Sequence, residues 1–251
     1  MLLREGPQFP EVLMARRHAG TAFGDSYVFP GGVLDPGDAE VHGRCRDVTP
    51  QHANASLKLE ANGLDYFSAA VRELFEEAGI LLARDAAGRW AFAGEEPVAS
   101  GLRRQLNDGS LGWQQLLDDH DLRLACGNLH YFAHWVTPRS EPKRFSTRFF
   151  TAVLPRGQTA VHDGGELTDS RWMTAEGVLQ AQRDGDMKLI YPTYATLKEI
   201  ARLSDVEQVI GWARQRSNAG IARVRPAIVE VNGRDKVVLP GDSRYPGERG
   251  H

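Results

Sequence analysis

Apolar residues recur along this chain in two periods, and the period changes from segment to segment. Alternation predicts short strands at Met1–Arg4 and Glu11–Arg16, on either side of the turn signal Gly6-Pro7-Gln8, and a third at Tyr27–Phe29. The first strand opens at Met1 itself, as expected of a strand whose leading residues lie upstream. Residues Ala39–Gly63 are polar and weakly patterned, and read as an insertion loop with one short helix near Ala53–Glu60. Asp65 then reads as the N-cap of a helix that runs to Ala78 and ends at Gly79. Strands are predicted at Ile80–Arg84 and Arg89–Phe92, followed by one helix over Pro97–Asp119. Alternation with aromatics returns at Leu122–Ala125, His130–Thr137 and Thr147–Leu154, and again at Arg171–Met173 after a polar loop. Helices follow at Thr174–Asp184, Tyr194–Leu203 and Asp205–Asn218, and then a hairpin of Ala227–Val231 with Lys236–Leu239 about Asn232-Gly233-Arg234-Asp235. There is no internal repeat and no long linker. The pattern is that of one α+β domain over 1–251, with an insertion at 39–64 and a helical C-terminal extension from about 174 to 251 packed on the core.

Composition narrows the class. A chain of 251 residues, 41% hydrophobic and 25% charged, can bury a substantial core and has the balance of a soluble globular protein. Its net charge of −3 gives no general attraction to nucleic acid or to an anionic membrane, so neither is expected as a partner. No apolar run approaches the ~18 residues of a membrane span. The first ten residues lack a signal-peptide pattern and the terminal GERGH carries no familiar address, so a cytoplasmic location is expected. Cys45 and Cys126 stand alone in the sequence and read as free or buried thiols. The histidines show no zinc-ligand spacing with them, Ser110 lacks the flanks of a nucleophile elbow, and a P-loop is absent.

One segment does not fit a passive reading. Residues 70–80, AVRELFEEAGI, hold Glu73, Glu76 and Glu77 within five positions. At about 100° per residue, Glu76 and Glu77 lie about 60° and 40° to either side of Glu73, while Val71, Leu74, Phe75 and Ala78 fall on the other side. The helix therefore gathers its acids on the face opposite its apolar one. Like charges at this spacing repel by a few tenths of a kcal/mol per pair. A hard divalent cation, which takes oxygen ligands, would turn that repulsion into attraction.

The company of these glutamates is distinctive. Upstream stands FPGGVLDPGD, and the helix reads Arg72-Glu73-Leu74-Phe75-Glu76-Glu77-Ala78-Gly79-Ile80. Together they resemble the Nudix box, a glycine followed by a spaced acid and then R-E-(apolar)-x-E-E-x-G-(apolar). Gly32 and Asp38 supply the first half, and every defined position of the second is matched. The resemblance implies an α+β fold, a Nudix α/β/α sandwich with a mixed sheet. It also implies hydrolysis of a nucleoside diphosphate linked to another moiety. Glu73, Glu76 and Glu77 would hold Mg²⁺, with Mn²⁺ as the alternative, and the Gly31 carbonyl would complete the metal site. Glu166, in the loop before Trp172, takes the place of a late-loop ligand or general base, with Asp163 and Asp169 as competitors. Two departures stand out. Aspartate replaces the usual glutamate at 38, and 33 residues separate it from Arg72, far more than the family's spacing. Either Asp38 or Glu40 would then orient Arg72.

The outer segments EVLMARR, YVFPGGVLD, HWVTP, KRFSTRFF and PTYATL are similar to the peroxisomal coenzyme A diphosphatase branch of that family and its bacterial relatives. The substrate implied is a small nucleotide diphosphate, first coenzyme A or acyl-coenzyme A, giving 3′,5′-ADP and (acyl-)4′-phosphopantetheine. ADP-ribose or NADH is the alternative within the class, and a non-catalytic nucleotide-binding module the alternative outside it. Arg16, Arg17, Arg144 and Arg148, together with Lys143, are the candidate substrate-binding cations, since guanidinium grips phosphate bidentately. The aromatics Phe132, Trp135, Phe149 and Phe150 read as core before base-stacking. The insertion is expected to fold over the substrate mouth or to make a homodimer contact.

Overall fold

The computed structural model describes residues 1–20 and 23–246; the terminal GERGH segment lies outside the described residues. The order of elements is β1 (Leu2–Arg4), β2 (Glu11–Arg17), β3 (Ser26–Val28), α1 (Pro36–Glu40), α2 (Pro50–Leu57), α3 (Gly63–Ala78), β4 (Ala83–Arg84), α4 (Glu96–Asn107), α5 (Trp113–Asp119) and β5 (Arg123–Leu124). It continues with β6 (His130–Val136), β7 (Ser146–Val153), β8 (Leu167–Thr174), α6 (Ala175–Asp184), β9 (Lys188–Leu189), α7 (Tyr191–Ile200), α8 (Val206–Ala219), β10 (Arg223–Val224), β11 (Ala227–Val231) and β12 (Arg234–Val238). Among the described residues no helix is long and apolar enough to cross a membrane.

Strand alternation builds two cores on one sheet. Strands β10-β6-β7-β1-β2-β3-β9 are hydrogen-bonded in that order, and β8 pairs antiparallel with β2. The sheet is mixed, with β1 parallel to β7 and antiparallel to β2. Leu2, Leu13, Phe150 and Ala152 point to one side, where they meet Val71, Phe75 and Phe67 of α3. Leu3, Val12 and Met14 point to the other, against Val178 of α6, Leu197 of α7 and Val209 of α8. The result is an α/β/α sandwich, the layering that the resemblance implies. A bulge in β6 alters this alternation. Tyr131 pairs with Phe150 and Ala133 with Phe149, so Phe132 is the extra residue and His134 comes to lie opposite Arg148.

Several elements differ from their sequence reading. The region Ala39–Gly63 is not a loose loop. Asp35 caps α1, Thr49 caps α2 through a bond to the His52 N–H, and Val41, Cys45, Ala53 and Leu57 are buried in the same core as α3. Their polar neighbours obscured this apolar stripe. Helix α3 starts at Gly63, with Asn62 before it, so Asp65 lies in its first turn and pairs with His42 at 2.6 Å instead of capping. The predicted helix over Pro97–Asp119 breaks into α4 and α5, because Asp108 accepts the Ser110 N–H and Gly109 adopts φ +76°. The Ile80–Arg84 strand shrinks to β4, and Leu81 bonds instead with the Gln158 side chain, which donates to its carbonyl and accepts its N–H. The C-terminal hairpin forms through an Asn232-Gly233 turn, both residues at positive φ. Cys45 and Cys126 are buried free thiols.

Phe75 is fully buried at the centre of the face that α3 presents to the sheet. Phe75→Ala is expected to lower the free energy of unfolding by about 3–5 kcal/mol, read as a fall in the urea midpoint at unchanged slope.

Candidate active site

The two halves of the acidic motif meet across the insertion. Asp35 and Asp38 cap α1 reciprocally, the Asp35 side chain accepting the Gly37 N–H and Asp38 accepting the Asp35 N–H. That turn delivers a fully buried Asp38 to Arg72, on the middle of α3. Arg72 donates from Nε to Asp38 Oδ1 at 3.2 Å and from Nη2 to Asp38 Oδ2 at 3.0 Å, a bidentate grip. Ser68 donates to the same carboxylate at 2.9 Å and itself accepts from the Trp113 indole at 3.0 Å. The exposed Glu40 takes no part, which settles the choice between the two acids in favour of Asp38. Arg72 also donates to the Val33 carbonyl at 2.8 Å, to Glu73 at 3.1 Å and to Glu76 at 2.7 Å. Burial pulls its pKa down, but Asp38, Glu73 and Glu76 more than reverse that, so it stays charged.

The glutamates are not on an open helix face. The Gly31–Val33 backbone lies directly on them: the Gly31 N–H donates to Glu77 at 2.7 Å and the Val33 N–H donates to Glu73 at 3.1 Å. A Cβ at Gly32 would collide with the Glu73 carboxylate, so any larger residue there would displace Glu73 from its bonds to Arg72 and the Val33 N–H. Burial raises the pKa of Glu73 to about 7, with Arg72 working against it. Burial raises Glu77 further, to about 8, with the Gly31 N–H opposing and Glu73 adding to the shift. Glu76, half-buried, is also shifted upward by burial against Arg72. One oxygen of Glu77, Oε1, is buried with no hydrogen-bond partner. Among the described residues no three acidic, histidine or cysteine side chains already stand in metal-binding geometry, since Arg72 holds Glu73 and Glu76 toward itself. The donor chemistry nevertheless suits a hard cation: clustered carboxylates, one with an oxygen buried and unpaired.

The late acidic loop reaches the same place. His18 N–H donates to the Glu166 carbonyl at 2.9 Å, which fastens the loop to the end of β2. The exposed Glu166 carboxylate lies 3.9 Å from Arg17 and within electrostatic range of Glu73 and Glu77. Its competitors are occupied. Asp163 accepts the N–H groups of Gly165, Glu166 and Leu167, and Asp169 accepts from Tyr27 and Arg171.

The four candidate arginines separate. Arg17 shares the α3 side of β2 with Leu13, and its charge acts on Glu77. Arg16, one residue earlier, points to the opposite face and pairs with Asp25 at 2.8 Å, so it is not brought to the acids. Arg144 is exposed in the β6–β7 connection and donates to the Glu141 carbonyl, again away from the acids. Arg148 is on the α3 face, stacked over Tyr66 at 4.2 Å. Phe132 and Phe150 are core, as expected, while Trp135 packs edge-on to Tyr191.

Arg103 escaped the sequence reading. Buried on α4, it donates to the Glu76 carbonyl and to the Val161 carbonyl, each at 2.8 Å, and so ties the C-terminal end of α3 to the loop that carries Glu166. It sits in an ordinary amphipathic helix, where an arginine reads as surface.

Comparison with known proteins points one way. A family model described as the NUDT19 Nudix domain matches residues 55–203, more than half of the chain. Over 259 residues the chain is 26% identical to the human acyl-coenzyme A diphosphatase NUDT19, covering 88% of this chain and 68% of that one. The Xenopus laevis protein of the same name is 23% identical over 271 residues, covering 94% and 71%. A crystal structure of a Nudix hydrolase from Alicyclobacillus acidocaldarius superposes with a TM-score of 0.71 at 29% identity, over 84% of this chain and 92% of that one.

Two outcomes are expected of this geometry. Asp38→Ala leaves the Arg72 charge without its fully buried partner and is expected to cost about 3–5 kcal/mol in urea unfolding. The raised carboxyl pKa values set a pH dependence. Folded Glu73 and Glu77 hold protons that the unfolded chain has lost, so stability is full below about pH 4.5 and falls as pH rises through about 7 and 8. In chelator, Glu77→Gln is expected to flatten this fall in melting temperature between pH 5 and 8, raising Tm at pH 8 and leaving it unchanged at pH 5.

Proposed function

This chain belongs to the Nudix family, hydrolases of pyrophosphate bonds, and we propose that its substrate is coenzyme A or an acyl-coenzyme A, cut to 3′,5′-ADP and (acyl-)4′-phosphopantetheine. Glu77 carries the reading of the site: a carboxylate buried beneath a glycine loop, its pKa raised to about 8, with one oxygen unpaired. The substrate reading draws on the relatives named acyl-coenzyme A diphosphatase.

In this reading Glu73 and Glu77, with Glu76 and the Gly31 carbonyl, hold Mg²⁺ or Mn²⁺. When bound, the cation supplies Lewis-acid neutralisation of the diphosphate oxygens. The remaining work falls to the chain. Glu166 is exposed, faces the buried glutamates and is not engaged in bracing its own loop, so it accepts the proton of the attacking water. Arg17, beside it, holds Glu166 in place and offers a positive charge to the entering phosphates. Arg72 opposes the upward shift that burial imposes on Glu73 and Glu76 and holds both in position, while Asp38 fixes Arg72. Gly32 allows the backbone to approach within hydrogen-bond distance of both glutamates.

The test is hydrolysis of coenzyme A, acetyl-coenzyme A, ADP-ribose and NADH with Mg²⁺ or Mn²⁺, with product masses. Release of 3′,5′-ADP is expected from the first two. Glu77→Gln and Glu166→Gln are expected to lower kcat by about 10²-fold or more with a smaller change in KM. Cleavage of ADP-ribose or NADH alone would reject the coenzyme A substrate. No cleavage of any of the four would favour a nucleotide-binding role.

A further inference from the structure

A second cationic feature lies on the same side of the sheet, toward the other end of α3. Arg148 sits on β7 two residues before Phe150, whose ring packs against Phe67 of α3 at 4.9 Å, so Arg148 shares the α3 face. Its guanidinium stacks over the ring of Tyr66, in the second turn of α3, at 4.2 Å. Its Nε is buried without an acceptor, and among the described residues neither terminal nitrogen makes a hydrogen bond or an ion pair. Arg72 and Arg103, the other arginines held deep against α3, both donate to acceptors of this chain. Tyr66, Tyr131 and His134 lie about Arg148, with Ser146 bonded to His134 at 2.8 Å and Arg223 on the far side of His134 adding a further positive charge. None of these carries a negative charge at neutral pH. The bulge at Phe132 is what turns His134 onto this face.

A guanidinium half withdrawn from water with its donors unused is costly unless an anion meets it. The position indicates which anion. Tyr66 precedes Glu73 by seven residues, two turns of the same helix, so it lies on the same side of α3 about 10 Å along the axis. A small molecule whose diphosphate lies over Glu73 and Glu77 therefore has Arg148 within reach of its far end.

We propose that Arg148, stacked on Tyr66 and flanked by Tyr131 and His134, binds a second phosphate of the substrate: a phosphomonoester carried on the nucleoside apart from the diphosphate. The inference rests on the diphosphatase reading above and deepens it. It makes Arg148 the residue that separates nucleoside bisphosphate derivatives from plain nucleotides, and it leaves Arg16 and Arg144 out of that task.

The experiment is calorimetric binding of 3′,5′-ADP and of 5′-AMP to wild type, Arg148→Ala and Arg148→Lys, with thermal melts to establish folding. Wild type is expected to favour 3′,5′-ADP by about tenfold or more, the scale of a charge-assisted hydrogen bond. Arg148→Ala is expected to erase that preference and Arg148→Lys to keep part of it. For turnover, the ratio of kcat/KM for coenzyme A over dephospho-coenzyme A is expected to fall in Arg148→Ala, through KM. A purely packing role for Arg148 would weaken both nucleotides equally. Equal binding of the two by wild type, or an undiminished preference in Arg148→Ala, would overturn the subsite. Selective, Arg148-dependent binding without any cleavage would leave the subsite standing and remove the hydrolytic reading. Cleavage of coenzyme A with equal binding of the two nucleotides would do the reverse.

Discussion

The buried ion pair of Arg72 with Asp38 is the constraint on which the rest of the site depends. Both groups are out of water, where an isolated charge is unaffordable, so each requires the other in a fixed place. Arg72 then has only part of its charge left for Glu73 and Glu76, and none of its hydrogen bonds reaches Glu77. Three acids bond one arginine while Glu77 lies beyond its reach, and burial, reinforced by neighbouring carboxylates, raises the pKa of all three glutamates. A cluster strained in this way has a reason to take up a cation, which a solvated acidic helix face does not.

The fold supplies that pair by closing a long detour. The chain leaves the glycine loop, turns at α1, and passes through α2 before entering α3, and apolar anchors of the detour join the α3 core. Asp38 therefore reaches Arg72 in space although 33 residues lie between them in sequence. The cost of closing a longer loop grows only slowly with its length, and the buried Val41, Ala53 and Leu57 offset it. The late loop is brought in from the other side by two ties, His18 to Glu166 on β2 and Arg103 between Glu76 and Val161. Both ties run through backbone carbonyls, which leaves the Glu166 and Glu76 carboxylates available while setting where Glu166 stands.

Much was legible in the residue order. The periods of the apolar positions marked most of the strands and helices, because side chains on a strand alternate and those on a helix return every three to four residues. The run from Arg72 to Ile80 placed the acids on one helix beside a glycine turn, and the family follows from those fixed positions. Where boundaries went wrong, a local polar bond intervened: Asp108 breaking a helix, or Gln158 standing in for a strand partner at Leu81.

The sequence by itself determined the reaction class through its resemblance to the Nudix box, since that motif is a set of side chains at fixed positions along one helix. It could not determine which acid meets Arg72, which of three loop acids faces the glutamates, or which arginines do so. Those depend on contacts between residues far apart in the chain, and on parity: Arg16 and Arg17 are neighbours in sequence but lie on opposite faces of one strand. Only the folded chain decided that Glu73 and Glu77 are buried, because the surface that covers them is the backbone of Gly31–Val33, some forty residues away.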